Sequence, residues 1–158
     1  MLLDNTGILT LRVADQNDVD VTFLWANNPK VRAFSFNQNE IVFDDHQKWF
    51  LNKVNSQECY YFLFERDKIA IGSIRFDLKF DEAIISYLID PNYFGCGFGS
   101  ALLERGIEQL IDLKDNRISK VVGFVIETNI PSIKAFEKLD FKKISIDDNS
   151  FKFFKVIR

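Results

Sequence analysis

A chain of 158 residues, 47% of them apolar and 17 of them phenylalanine, is the size of one ordinary domain and can bury its own core. Its net charge of −3 argues against a duplex nucleic-acid partner, which demands a surplus of Lys and Arg. Two cysteines and one histidine make neither a disulfide framework nor a zinc pattern, no apolar run approaches the ~20 residues of a membrane helix, and Met1 to Leu11 lacks a secretion signal. The expectation is one cytoplasmic domain over residues 1–158, with no metal, no nucleic acid and no membrane.

Ile8 to Val13 alternates like a strand. From Asp18 to Asn27 apolar residues recur at helical spacing, and Asn27-Asn28-Pro29 ends that helix. Asn37 to Phe43 reads as irregular or extended. Asp44 can cap a second helix, in which His46, Trp49, Phe50 and Lys53 share a face. The period then changes to two. Glu58 to Glu65 and Lys68 to Asp77 form a hairpin around Arg66-Asp67, with Glu82 to Asp90 as a third strand stopped by Pro91-Asn92. A long helix follows from Gly97 to Leu113. Lys120 to Ile126 reads as a strand buried on both faces, Asn129 to Leu139 as a helix, and Phe141 to Ile146 with Phe151 to Ile157 as a last strand pair. The pattern predicts an α+β (mixed α/β) fold: a mostly antiparallel sheet of about seven strands flanked by about four helices.

Between strand and long helix lies Gly95-Cys96-Gly97-Phe98-Gly99-Ser100. A helix start leaves about four N–H groups unpaired and carries roughly half a positive charge, which suits a phosphate. Glycines let backbone approach phosphate oxygens and permit positive φ. The spacing is not that of a Rossmann fingerprint, and a P-loop would need a lysine that Gly99-Ser100-Ala101 lacks.

These residues resemble the GNAT superfamily of N-acetyltransferases. Ile89-Asp90-Pro91-Asn92-Tyr93, then Phe94-Gly95-Cys96-Gly97-Phe98-Gly99, is similar to the family's first signature. The second, an Asn, a short helix and a closing Lys-x-Gly-Phe, has its counterpart in Asn129 to Phe141. The resemblance implies acetyl-CoA as co-substrate. Backbone groups of Leu88 and Ile89 would pair with the pantetheine arm, the turn from Phe94 to Ser100 would hold the pyrophosphate, and Asn129 and Ser132 would lie near the thioester.

Three departures stand out. Phe94 replaces the usual Gln or Arg, Ile84 occupies the position of a common strand glutamate base, and Phe136 that of a common tyrosine acid. Asp140 also replaces a closing glycine. Glu82, on the same strand face as Ile84, is the first candidate base, and Tyr87 a candidate acid. Each has a plain alternative, as a hydrated strand-end carboxylate and a sheet aromatic.

The segment from Trp25 to Phe50 resembles the GNAT branch that acetylates nucleotide-linked amino sugars, including the enzymes of pseudaminic acid biosynthesis. Arg32, Phe34, Asn37, His46 and Trp49 would then meet the acceptor, aromatics stacking on a base and cations facing phosphates. Simple packing of these aromatics on the sheet is the competing reading. A protein N-terminus, a small amine such as a polyamine, or a CoA-binding module without turnover are the alternatives. Phe151-Lys152-Phe153-Phe154 is a candidate edge for pairing two copies into a homodimer.

Overall fold

The computed structural model describes residues 7–158. β1 (Leu9–Val13) leads through a 3-10 turn, Gln16–Asp18, into α1 (Val19–Ala26), α2 (Pro29–Arg32) and α3 (Phe43–Val54). Then come β2 (Cys59–Arg66), β3 (Ile69–Lys79), β4 (Glu82–Ile89), α4 (Phe98–Asp112), β5 (Lys120–Ile126), α5 (Ile130–Lys138), β6 (Lys142–Asp147) and β7 (Ser150–Val156). The seven strands form one sheet in the order β1-β2-β3-β4-β5-β7-β6. All neighbours are antiparallel except β4 and β5.

Local chemistry accounts for most boundaries. Asp15 and Asp18 form a reciprocal capping box at the first helical turn. Asp18 also takes a two-pronged hydrogen bond from Arg12, at 2.7 and 2.8 Å. Burial works to raise the Asp18 carboxyl, but that pair and the Asp15 N–H outweigh it and hold its pKa below the ordinary value. The β2–β3 turn falls one residue later than the sequence suggests, on Asp67-Lys68. Both adopt positive φ, 50° and 69°, as a two-residue type I′ hairpin requires. Asp140 reaches φ 63° without a glycine.

Several expectations are corrected. Asn27-Asn28-Pro29 does not simply stop a helix. The Asn28 side chain accepts the Lys30 N–H at 2.9 Å and Pro29 takes the first helical position, so α2 begins there and the described residues hold five α-helices. Asp44 is not a cap. Val42 occupies that position and Asp44 lies in the first turn of α3, where its charge suits the positive helix end. β5 is not buried on both faces throughout, because Phe124 is exposed. Nor is Phe151 to Phe154 an edge. β7 lies between β5 and β6, Phe153 is fully buried, and the outer strand is β6.

α4 and α5 pack on one face of the sheet through Phe98, Leu102, Leu103, Ile133 and Phe136. α1 and α3 pack on the other through Trp25 and Phe50 against Tyr61 and Leu63. Phe136 stacks on Phe153 at 5.0 Å and meets Phe141 and Tyr87 edge-on at 4.9 and 6.1 Å. Its ring tip is aimed at β5, where a Cβ built on Gly123 would lie 2.4 Å from Cζ. Glycine is required there for close approach. The same contact leaves no room for a hydroxyl on Cζ, so phenylalanine fits here and tyrosine does not. Phe136→Tyr should destabilise the fold by about 1–3 kcal/mol in a chemical-denaturation curve, without raising activity. A variant as stable as the parent would refute that packing.

Candidate active site

β4 and β5 pair only from Glu82↔Lys120 to Ile85↔Gly123. Beyond that point β4 continues to Ile89 with β3 alone as a partner, so the two parallel strands fork. A cleft of about 930 Å³ opens there, lined by Ser86 to Ile89, the glycine turn, the start of α5, and residues of α1 to α3.

Which main-chain groups face the fork follows from strand alternation. Asp90 N–H donates to the Ile71 carbonyl at 2.8 Å, and the Leu88 carbonyl lies against Gly72, so even-numbered residues turn their polar groups to β3. Tyr87 and Ile89 therefore present N–H and C=O to the fork. Of the two residues expected to pair with a pantetheine arm, Ile89 turns its main chain to the fork, whereas Leu88 turns its main chain to β3 and its side chain to the cleft wall.

The turn beyond β4 is built for close approach. Gly95 and Gly97 have φ of 77° and 80°, and a Cβ on Gly95 would meet nothing within 4 Å. Gly97 is the N-cap of the 15-residue α4 and no side chain caps that helix. The first N–H groups of α4 have no intrahelical acceptor and lie beside Gly95 and Gly97 on the cleft. This cradle fits a diphosphate. Phe94, Phe98, Gly99 and Ser100 line the cleft as well, but Cys96 packs against the core and donates its thiol to the Phe94 carbonyl at 3.6 Å.

Across the fork, Tyr87 Oη and Ser132 Oγ share a hydrogen bond of 2.8 Å. Ser132 is held at the start of α5, where the Asn129 side chain accepts its N–H at 3.3 Å. Burial raises the pKa of the Tyr87 phenol, and the Ser132 hydrogen bond works against that rise. Glu82 is elsewhere. It lies four residues before Ser86, roughly 13 Å along an extended strand, and 3.9 Å from both Lys120 and Lys152. The sequence candidate for the base is not brought to the cleft.

Residues 9–142 match the family profile described as the acetyltransferase (GNAT) domain. The chain belongs to the GNAT acetyltransferases. It is an acetyl-CoA-dependent N-acetyltransferase domain, and the glycine cradle beside the fork suits that donor. It is 27% identical over 144 residues to an uncharacterized protein of Methanocaldococcus jannaschii, covering 89% of this chain but only 29% of that protein. A putative phosphinothricin acetyltransferase of Bacillus subtilis is 26% identical over 140 residues, covering 84% of this chain and 83% of that one. Among solved structures, spermidine N-acetyltransferase from Vibrio cholerae, in complex with CoA and spermine, superposes with a TM-score of 0.82 at 18% identity, over 94% of this chain and 95% of that one.

The acetyltransferase's second wall gathers all five residues expected to meet an acceptor: Arg32, Phe34, Asn37, His46 and Trp49. Arg32 donates to the Asn37 carbonyl, while its Nε is buried with no hydrogen-bond partner among the described residues. Thr22 Oγ1 lies 2.7 Å from the Asp18 carbonyl and 3.1 Å from His46 Nε2. A hydroxyl has one proton. Given to the carbonyl, it makes His46 Nε2–H the donor and leaves Nδ1 with its lone pair.

Sequence reading missed the floor of this wall. Arg75 lies over Trp49 at 4.7 Å from the ring centre, donates to Ser86 Oγ at 3.1 Å, and is held through Nε by Asp77 at 2.8 Å. Tyr61, Ser73, Ser86 and Asp45 line the cleft beside it. Arg75 and Asp77, a charged pair two apart within a mostly apolar strand, were the available signal.

Burial lowers the pKa of His46. Below the ordinary imidazole value of about 6.5 the unfolded chain therefore takes up a proton that the folded one resists, so stability present above that pH is lost as pH falls. His46 is the sole histidine. The melting temperature should drop between about pH 7.5 and 5.5, and His46→Gln should flatten that slope. An equal slope in both proteins would assign it to other groups.

Proposed function

We propose that this acetyltransferase transfers its acetyl group to the primary amine of a nucleotide-linked amino sugar by direct attack. The observation that carries the reading is continuity. A single cleft joins the diphosphate cradle, the forked strand and an aromatic, cationic wall formed by Phe34, Trp49, Tyr61, Arg32 and Arg75. Aromatic faces suit a nucleobase or sugar ring, and guanidinium groups suit phosphates. The Arg32 guanidinium, on the cleft wall, supplies positive charge for such an anion. The Vibrio enzyme's spermine and the phosphinothricin for which the Bacillus protein is named are both small amines, which supports a small-molecule acceptor.

Acetyl-CoA, when bound, supplies an activated acyl carbon and a thiolate leaving group. The chain's contribution is positional and electrostatic. The Tyr87 N–H faces the fork and, on this reading, donates to the carbonyl oxygen as negative charge builds there. The Tyr87 hydroxyl can protonate the departing sulfur, with Ser132 Oγ holding the ring in place. As the N–C bond forms and the C–S bond breaks, the amine's surplus proton leaves to water. Tyr87 on the strand thus takes the role that Phe136 on α5 lacks the hydroxyl to play.

Thiol release measured with UDP-glucosamine, a free peptide N-terminus and spermidine tests the acceptor. The nucleotide sugar should give the highest kcat/KM, and a lead for the peptide or spermidine would sink the assignment. Tyr87→Phe should lower kcat about 100-fold while calorimetry shows CoA affinity unchanged. An unaltered kcat would remove the phenol from the mechanism.

A further inference from the structure

Among the residues described as lining the cleft, none of those at the fork is a carboxylate placed as a base. Glu82 is bound up with two lysines at the far end of β4, Ile84 is apolar, and Asp45 is the one acidic residue on the cleft wall. What stands at the fork is a cation. Arg75 pairs in register with Ser86, the first residue of β4 beyond the last β5 partner, and its Nη2 donates to the Ser86 hydroxyl.

That guanidinium is fixed from several sides. Nε donates to Asp77 at 2.8 Å, and its plane lies over Trp49 at 4.7 Å and near Tyr61 at 5.8 Å. Asp77 does not cancel the charge, because Lys53 donates to its other oxygen at 2.7 Å, so the Lys53–Asp77–Arg75 group carries a net positive charge. Burial works to raise the Asp77 carboxyl, but Arg75 and Lys53 outweigh it and keep it ionised. The titratable neighbours on β2 add no negative charge at neutral pH. Burial pushes the Cys59 thiol up to about 12 and raises the Tyr61 phenol. On α3 the buried His46 resists protonation, and Asp45 lines the same cleft as Arg32.

We propose that Arg75 replaces a general base by electrostatics: its fixed positive charge at the fork keeps a bound acceptor amine unprotonated, so the enzyme accepts weakly basic amines and turns away polycations. The inference rests on the thioester lying along β4, as the proposed function has it. The acceptor loses its first proton to bulk water on entry, and its nitrogen lone pair then bonds to the acyl carbon as the C–S bond breaks. The second proton also passes to water, and the thiolate takes its proton from Tyr87, whose phenolate regains one from water. A protonated polyamine brings several positive charges to this cation and is repelled. An amino group on an anionic molecule is drawn in, with its anionic part toward Arg32.

The test compares pH profiles of kcat by thiol release for glycinamide, whose amine titrates near ~8, and for Nα-acetyl-lysinamide, near ~10.4, with spermidine as the polycation. A unit charge about 6 Å away at an effective dielectric of about 40 shifts an amine by about one pH unit. The acid limb for glycinamide should therefore lie about one unit below the free amine, and glycinamide should outpace both other amines at pH 7. Arg75→Gln should move that limb up by about one unit, a tenfold loss at pH 7, while Arg75→Lys keeps it in place. Lost packing alone would not separate those two variants in this way. An unmoved limb in Arg75→Gln, spermidine as the fastest acceptor, or no release from any amine by a chain that binds CoA would overturn the proposal. A wild-type chain that fails to bind CoA in calorimetry would overturn the donor reading and this proposal with it.

Discussion

The cleft depends on β4 and β5 parting company after Ile85 and Gly123. Hydrogen-bonding groups of a parallel strand pair are ordinarily spent on each other. Here those of Tyr87 and Ile89 are left facing open space, on a strand that β3 still holds straight on its other side. The parting is possible because α5 takes over the space between. Asn129 caps that helix, Ser132 reaches Tyr87, and Phe136 presses against Gly123, so the gap is walled by packed side chains and not simply left empty. The cleft's polar groups are arranged around these main-chain groups. The glycine turn lies at their C-terminal end, Arg75 at their N-terminal end, the Tyr87–Ser132 pair on one face and the aromatic wall on the other.

The two faces of the sheet divide the labour. On the α4–α5 side the packing is almost wholly apolar, from Phe64 and Phe98 to Phe136 and Phe153. On the α1–α3 side the apolar group is smaller, and a row of polar side chains (Ser73, Arg75, Asp77) runs along β3 with Ser86 beside it on β4 and Trp49 over Arg75. A half-buried guanidinium is stable only with its donors largely satisfied and its charge shared. Asp77, Ser86 and the Trp49 ring supply those conditions, and Lys53 keeps Asp77 from neutralising the site.

Much of this was legible beforehand because it is written in local patterns. Period-two alternation marked β2, β3 and β4, helical periodicity marked α3 and α4, and two short glycine- and asparagine-led signatures located the turn and the start of α5. What was not legible depended on distant partners. Leu88 and Ile89 are adjacent in sequence, yet only the pairing to β3 shows which of them faces the fork. Glu82 seemed eligible because it shares a strand face with Ile84, and strand parity says nothing about distance along the strand. Arg75 drew no attention because its importance comes from Ser86, eleven residues away across a hairpin, and from Trp49 on a helix. Cys96 lies between two cradle glycines, but its side chain turns to the core.

One residue has a foot on both sides of the chemistry. On the proposed reading, Tyr87 offers its amide to the acyl oxygen and its phenol to the sulfur, so the two polarising groups are joined through a single α-carbon and cannot drift apart. Replacing the side chain interrogates only half of that pair, since every amino acid except proline brings the same amide. The other half is protected from ordinary substitution and is open to change only through the backbone itself, by whatever alters the grip of β3 on β4.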